Sequence, residues 1–421
     1  MKTIASEDII LGRDLSSSRR WGAFFAIAFI YFFYCYNFMI GTFIKPTMLL
    51  SVQNGGFGFT LTQTEQIFSC MSFGMIIGTV FFGKLSAAHG KKRTYICVSL
   101  MISAMTLLPL FHPTSFSLWF FARTMTGIAL GGVYGVCMPL VIDLFPSRYS
   151  GKLTAMITSL FSLAIIFGGK LYGFLGDANW RLLILTAVIP PLIGAALVFL
   201  LVPDDIHIIR GYLLEGKQNK EKITYRNMYK GKYLWIGIGT ILLSGINFVA
   251  QESYTNNVTA YLTTELGISA AVAGAIYSVQ GIGQFVGYLF WGSVADKYGQ
   301  KIPLFMMAAC STLTFTFARL SPTSITSFYI VSILFGFGVG YTGSWGAYYA
   351  ALFPARFKSL SVGTSFNGGR IISAVGLPLV TLLAGGPLGM RPIFYVSSVM
   401  FIAGSVVWAL LPETKNKNNM D

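Results

Sequence analysis

The stretch GKLSAAHGKK at residues 83–92 ends one long apolar segment, and GSVADKYGQK at residues 292–301 ends another. Both strings have glycine at their first and eighth positions and lysine at their tenth, so the pattern returns after 209 residues. A near-constant offset, with each pair at the same place in its half, indicates a unit duplicated in parallel. Other pairs keep nearly this offset: LFPSRY at 144–149 with LFPARF at 352–357, and Asn37-Phe38 with Asn247-Phe248.

The composition indicates that the folded chain is surrounded by lipid. Of 421 residues, 54% are hydrophobic and only 11% are charged, whereas soluble domains carry about 25% charged residues. These values exclude a cytosolic enzyme, a disordered protein and a nucleic-acid-binding protein. The formal net charge of +15 lies in short loops between apolar runs, so it gives no reason to expect a nucleic-acid partner.

Apolar runs of membrane-spanning length predict an all-α integral membrane protein, since a helix needs about 20 apolar residues to cross a bilayer. Their approximate limits are 21–44, 62–83, 94–111, 117–142, 153–175, 180–202, 233–260, 271–294, 302–320, 326–350, 360–384 and 391–411. We number these twelve spans in chain order. The hydrophilic segment 203–232 predicts a cytoplasmic linker between two six-helix bundles at 21–202 and 233–411, with tails at 1–20 and 412–421.

The distribution of lysine and arginine predicts the orientation. Most of the 30 Lys+Arg residues fall on the side of the two termini, and only Lys45, Arg181 and Arg391 fall on the opposite side. By the positive-inside rule both termini are cytoplasmic. We therefore expect a multi-pass protein of a bacterial inner (plasma) membrane, working as a monomer.

The repeated loop strings resemble the signature G-x-L-a-D-r-x-G-r-k of the major facilitator superfamily, which lies between spans 2–3 and 8–9. Arg123-x-x-x-Gly127 resembles that family's second motif, and the P-x-R strings after spans 4 and 10 resemble those of metabolite:proton symporter and sugar-porter branches. The resemblance implies a secondary transporter with spans 1, 4, 7, 8, 10 and 11 around a central pathway. Some aromatic-acid symporters have an acidic pair in span 1, where Tyr34-Cys35-Tyr36-Asn37 stands here.

The aspartate of the family's loop signature implies a conformational latch on the cytoplasmic side. The first copy has Ala87 at this position, whereas the second copy keeps Asp296. Ordinary solvated loop charge is the alternative, because an exposed ion pair contributes only about 0–1 kcal/mol. We predict two latches: Asp143 with Lys92 or Arg148, and Asp296 with Arg356 or Lys358.

Ionisable side chains within spans are costly and are candidates for function. Arg370 lies near the middle of span 11, and Arg123 lies one to two turns into span 4; we expect both to face a cavity. Lys170 and Arg319 lie near the outer ends of spans 5 and 9. Their side chains point either to the lipid headgroups or to the cavity, and the sequence leaves both alternatives open. The acidic candidates for proton coupling are Glu252 and Glu65. Alternatively, Glu252 pairs with the ammonium group of a zwitterionic substrate, and Glu65 faces water or caps span 2.

Polar side chains at helical spacing form stripes on the same spans, and such stripes are expected to line a water-filled cavity between the halves. The alternative is hydrogen bonding between helices. The stripes are Tyr34 and Asn37; Arg123, Gly127, Gly131 and Tyr134; Asn247, Gln251 and Tyr254; Tyr277, Gln280 and Gln284; Tyr341, Trp345 and Tyr348; and Asn367 with Arg370.

These features predict a secondary active transporter that moves a small polar solute by alternating access. Two arginines and several amide donors favour a carboxylate-bearing solute, either an organic anion or an amino acid, taken up with protons. We expect no metal and no cofactor, with the proton as coupling ion. A uniporter or efflux carrier for a neutral sugar, nucleoside or drug is the alternative, and a transporter-like nutrient receptor is more remote. Motifs of hydrolases and of P-loop enzymes are absent, so an enzyme is not expected.

Overall fold

The computed structural model describes residues 15–145, 150–205, 228–354, 358–384 and 386–414. Regular structure in these residues is helical, which confirms the predicted fold class, and nine segments among them are long and apolar enough to cross a bilayer. The helices are α1 Ser17–Leu49, α2 Leu61–His89, α3 Lys91–Leu107, α4 Phe116–Ile142, α5 Ser150–Leu175, α6 Trp180–Leu201, α7 Lys232–Thr255, α8 Ala270–Tyr298, α9 Leu304–Arg319, α10 Ile325–Leu352, α11 Lys358–Thr381 and α12 Arg391–Leu410.

The helices form two compact units. The first unit contains α3, α4, α6 and the parts of α1, α2 and α5 that reach Ile40, begin at Cys70 and end at Ala164. The second unit contains α7 to α12 together with Gly41–Ser69 and Ile165–Ala178. Three helix ends from the first half of the sequence therefore belong to the second unit, all on the predicted outer side. The bundle limits 21–202 and 233–411 stay a prediction.

Glycines bring α2 and α4 into backbone contact in the first unit. A Cβ atom at Gly127 or Gly131 would collide with the carbonyl oxygens of Met71 or Met75, and one at Gly78 would collide with that of Ile128. Between lipid-solvated helices such close packing replaces the hydrophobic effect as the source of association. Gly127 and Gly131 therefore serve helix packing, and their assignment to a cavity-lining stripe was wrong.

The second unit repeats this packing between α8 and α10. A Cβ at Gly336 would collide with the carbonyl oxygen of Gln280, and one at Gly283 would collide with that of Ile333. Gly127 and Gly336 are 209 residues apart, the same offset as the loop strings. The duplication read from the loops thus extends to the contacts that hold the helices together.

The loop glycine Gly90 has a φ of +97°, which residues with a side chain rarely adopt. It turns the chain from α2 into α3, whose first backbone N–H groups point at Asp205. The carboxylate of Asp205 accepts hydrogen bonds from the N–H of Lys91 at 2.7 Å and of Lys92 at 3.2 Å. A carboxylate at a helix N-terminus is stabilising, so this loop ties α3 to the chain that leaves α6.

The second half contains the same arrangement. Gly299 has a φ of +125°, and the carboxylate of Glu413 accepts from the N–H groups of Gln300 at 3.2 Å and Lys301 at 3.1 Å. Glu413 follows α12 as Asp205 follows α6. The loop signature is thus one part of a cap whose other part lies more than 100 residues away.

A leucine at Gly131 should lower the melting temperature of the purified protein, because overpacking a tight contact costs about 1–3 kcal/mol. Gly135 is the matched control on the same helix, since it is exposed and a Cβ there meets nothing within 4 Å. Thermal unfolding of the two variants in detergent tests this contact, and an equal melting temperature in both would contradict it.

Candidate functional site

The second unit holds a layer of polar side chains near the middle of its helices. Asn247 on α7 accepts a hydrogen bond from the Tyr341 hydroxyl on α10 at 2.5 Å, and both residues are buried. Gly369 on α11 packs against Gly245 on α7, and Gly336 on α10 packs against Gln280 on α8. These contacts link the four helices of this unit that carry predicted site residues.

Two glutamines of α8 in this layer are buried with unused hydrogen-bonding groups. Gln280 is 1% exposed, and neither its amide nitrogen nor its amide oxygen has a partner among the described residues. Gln284 donates to the Tyr288 hydroxyl at 2.7 Å, but its oxygen has no partner in the same part of the chain. A buried polar group without a partner costs about 1–3 kcal/mol. Such groups are suited to receive a polar ligand or water.

Arg370 and Glu252 add charge near this layer. Arg370 is half-buried, and its guanidinium lies over the Phe248 ring at 5.0 Å from the centroid. Glu252, one turn after Phe248 on α7, is buried and interacts electrostatically with Arg370 and with Glu65. The predicted cation of span 11 and the predicted acid of span 7 therefore belong to one network.

The other predicted residues of this unit divide between the layer and the core. Tyr254 belongs to the core, because its ring packs on Phe335 at 4.0 Å and on Phe317 at 5.0 Å. Trp345 packs on Tyr341 at 5.6 Å, and its indole N–H has no hydrogen-bond partner among the residues described. Gln251 and Asn367 are half-buried.

The first unit contains Arg123, Asn37 and Tyr34. Arg123 is buried, and its guanidinium donates to the backbone carbonyl of Asn37 at 3.3 Å and lies 5.9 Å from the Trp119 ring centroid. Tyr34 is also buried, beside Tyr31. The structure therefore gives Arg123 partners within its own bundle.

Asn37 is committed to helix packing. Its amide nitrogen donates to the carbonyl oxygens of Phe33 at 3.1 Å and Ala187 at 2.8 Å, and its oxygen accepts from the Thr106 hydroxyl at 2.9 Å. These bonds tie α1 to α3 and α6. We therefore leave Asn37 out of the substrate site that is proposed below.

Lys45 was expected to follow span 1 on the outer side, and the end predicted for that span, at residue 44, was wrong. α1 continues through Pro46 to Leu49, so Lys45 lies within the helix and is fully buried against Glu65. Asn257, which sequence reasoning did not select, completes this cluster. The available signal was a lone acid near the outer end of span 2, close in predicted depth to the lysine that directly follows span 1.

The cytoplasmic latches are described only in part. Asp143 forms its ion pair with Lys91, not with the predicted Lys92, whose ammonium lies 5.4 Å from the Phe199 ring centroid. Lys92 is held there by the Asp205 cap at its own backbone N–H. The role of Asp143 as a latch stays a prediction. The remaining latch residues lie outside the described residues or have side chains outside them: Arg148, Asp296, Arg356 and Lys358.

Comparison with known proteins identifies relatives along the whole chain. The family model of the Major Facilitator Superfamily matches residues 27–257 and 240–420. The gentisate transporter of Corynebacterium glutamicum is 25% identical over 80% of this chain and 76% of its own length. The cis,cis-muconate transport protein of Acinetobacter baylyi is also 25% identical, over 85% of this chain and 87% of its own. The crystal structure of a D-xylose–proton symporter superposes with a TM-score of 0.74 at 14% identity, covering 94% of this chain and 98% of the other.

Replacing Asn37 with alanine should destabilise the protein by about 1–3 kcal/mol, because it leaves buried partners without hydrogen bonds. The apparent affinity of the folded fraction for its substrate should stay unchanged. Asn367→Ala is the comparison variant, since Asn367 is half-buried beside Arg370. Melting temperature and transport KM, measured for both, test the distinction. A raised KM with a native melting temperature in Asn37→Ala would return Asn37 to the substrate site.

Proposed function

The chain belongs to the major facilitator superfamily, and on this premise we propose that it takes up a small carboxylate together with protons by alternating access. Its relatives are named as transporters, not as enzymes. The observation that carries the substrate class is the combination of a guanidinium, on Arg370, with the unpartnered buried amide of Gln280 in one unit.

The polar layer offers hydrogen-bond donors to a carboxylate, besides the amide oxygens of Gln280 and Gln284 that have no partner among the described residues. The guanidinium of Arg370 offers a planar fork that matches a carboxylate, and the Gln280 amide and the Trp345 indole add N–H donors without described partners. Gentisate and cis,cis-muconate, in the names of two relatives, are both carboxylates. Donor chemistry and relatives thus support the same class of solute.

Glu252 is the group that we expect to couple the substrate to a proton. The substrate carboxylate and the Glu252 carboxylate compete for the positive charge of Arg370, with which Glu252 interacts. A proton on Glu252 removes this competition, so substrate binding and proton binding favour each other. Linkage of this kind is reciprocal, as thermodynamics requires.

Transport assays in proteoliposomes test the proposed function. Gentisate, muconate and benzoate should accumulate when the outside is acidified, whereas xylose and adenosine should not. A neutral solute carried at a rate independent of the pH gradient would contradict the proposal and favour a uniporter.

Arg370→Gln should weaken carboxylate binding about tenfold or more, because hydrogen bonds to charged groups contribute about 1.5–3 kcal/mol. Arg319→Gln is the matched control: Arg319 is exposed at the end of α9 and lies 5.4 Å from the Phe315 ring centroid. Substrate Kd from isothermal titration, measured for both variants, checks this expectation. Equal affinity in the two variants would remove Arg370 from the site.

Glu252→Gln should separate substrate binding from proton coupling, because glutamine resembles the protonated acid. Exchange of labelled for unlabelled substrate across the membrane should persist, while accumulation driven by a pH gradient should disappear. Accumulation at the wild-type level would show that Glu252 does not carry the proton.

A further inference from the structure

A buried ionic cluster lies at the predicted outer ends of α1 and α2 and just beyond α7. The ammonium of Lys45 donates to Glu65 Oε1 at 2.5 Å and to Asn257 Oδ1 at 2.6 Å, and Asn257 Nδ2 donates to the same Glu65 oxygen at 2.9 Å. The two charged side chains are 0% and 1% exposed. We call Lys45, Glu65 and Asn257 the outer triad.

Stability does not account for the outer triad. Taking two ions out of water costs several kcal/mol per ion, and apolar residues of similar size often stabilise a protein equally well or better. A buried ion pair in a membrane helix is therefore a candidate for function. The second oxygen of Glu65, Oε2, has no hydrogen-bond partner in the described part of the chain, so a proton can be added there without breaking a bond.

The outer triad joins helices from the two halves of the sequence, and further contacts of the same unit do likewise. Thr259, just beyond α7, donates to the carbonyl oxygen of Thr42 on α1 at 2.5 Å. Thr381 on α11 donates to the Thr62 hydroxyl on α2 at 3.2 Å. The ends of α1 and α2 are thus held against α7 and α11 at this level.

Glycines also bring α5 and α8 into backbone contact on the predicted outer side. A Cβ atom at Gly274 would collide with the carbonyl oxygen of Gly169, and one at Gly169 would collide with Ser278. Phe43 on α1 packs edge-on against Tyr277 of α8, with ring centroids 5.3 Å apart. Of these contacts, only the outer triad carries charge, and charge is what a proton alters.

We propose that the outer triad is a proton-controlled lock: ionised Glu65 holds these helix ends together, and a proton taken from the outer solution by Glu65 releases them. The proposal rests on the alternating access proposed above. Protonation converts the carboxylate to a neutral acid and leaves Lys45 as a buried cation with neutral partners only. A buried charge that loses its counter-ion strongly destabilises the state that buries it, so the state in which water reaches Lys45 is favoured.

Of the charged groups in the described residues, Lys45 on α1 is paired with Glu65, and Glu252 on α7 interacts electrostatically with Glu65 and with Arg370 on α11. The Glu252 carboxylate therefore connects the lock to Arg370, the residue that we propose binds the substrate. A carboxylate substrate at Arg370 and a proton at Glu65 therefore both change the electrostatic environment of Glu252.

Accessibility from the outer solution tests the lock without a substrate. Ser253 is the reporter position: it is buried, lies one turn below Asn257, and its hydroxyl has no hydrogen-bond partner among the described residues. Ser253→Cys is labelled with a membrane-impermeant maleimide in right-side-out vesicles at external pH 5.5 and 7.5. Each rate is divided by that of Val52→Cys at the same pH, because Val52 is exposed at the predicted outer side and corrects for the reactivity of the thiol.

The normalised rate should rise at acidic pH in the reporter protein. With Glu65→Gln added, it should be about tenfold or more higher at pH 7.5 and should not change with pH, because glutamine cannot hold the ion pair. Exchanging the charges, Lys45→Glu with Glu65→Lys, should restore slow labelling relative to either single variant. Native melting temperature is checked for each variant, so that misfolding is not mistaken for opening.

Slow, pH-independent labelling in the reporter protein, or unchanged labelling with Glu65→Gln, would overturn the lock. Failure of the lock is distinct from failure of the proposed function. If only the lock fails, uptake of carboxylates driven by a pH gradient persists. If only the proposed function fails, the protein carries neutral solutes and still shows the labelling pattern of the lock.

Discussion

Close backbone contact between helices at glycines is the interaction on which the rest of this structure depends. Lipid tails are as apolar as leucine, so helices in a bilayer gain little by hiding apolar side chains from them. Gly127 against Met71, and Gly336 against Gln280, bring helix backbones together where a Cβ would not fit. The contact of Gly336 also sets the depth of Gln280, a residue of the polar layer. Packing and site are thus determined by the same contact.

The absence of water inside the membrane also decides how charges are held. Arg123 donates from its guanidinium to the carbonyl oxygen of Asn37 and lies near the ring of Trp119. Lys45 instead has an acid on the next helix, α2, and the amide of Asn257 from the other half of the sequence. A cation held by a backbone carbonyl and an aromatic ring keeps these partners at any pH, because neither group takes up a proton. A cation held by a carboxylate loses its partner when the acid takes up a proton, so the second arrangement is the one suited to a switch.

Glu252 gives the proposed transport cycle its physical connection. It interacts with Arg370 in the polar layer and with Glu65 in the outer triad. Through this carboxylate, the proposed substrate residue and the proposed lock respond to each other's charge. The proposed coupling acts through charge, because charges inside a protein are screened less than charges in water.

Local properties of the chain were sufficient to predict much of the fold. Apolar length predicted the spans, and the loop strings predicted the duplication, because a glycine such as Gly90 is required by the backbone conformation of its own turn. The site was predictable only in part. Asn37 and Asn247 occupy equivalent positions, yet Asn37 is fully bonded within its bundle whereas Asn247 pairs with Tyr341. Helical periodicity cannot separate these cases, since a packing residue and a site residue lie on the same inward face.

Lys45 shows what only the tertiary structure decided. Its apolar run ends at residue 44, and a lysine at that point is ordinarily a surface charge. Burial is possible because Glu65, 20 residues away, supplies the counter-charge and Asn257, 212 residues away, supplies a hydrogen-bond acceptor. Membrane insertion depends on the sum of apolar residues along one segment, so the sequence by itself determines it. Whether a polar group in that segment is hidden or hydrated depends on partners that only folding brings near.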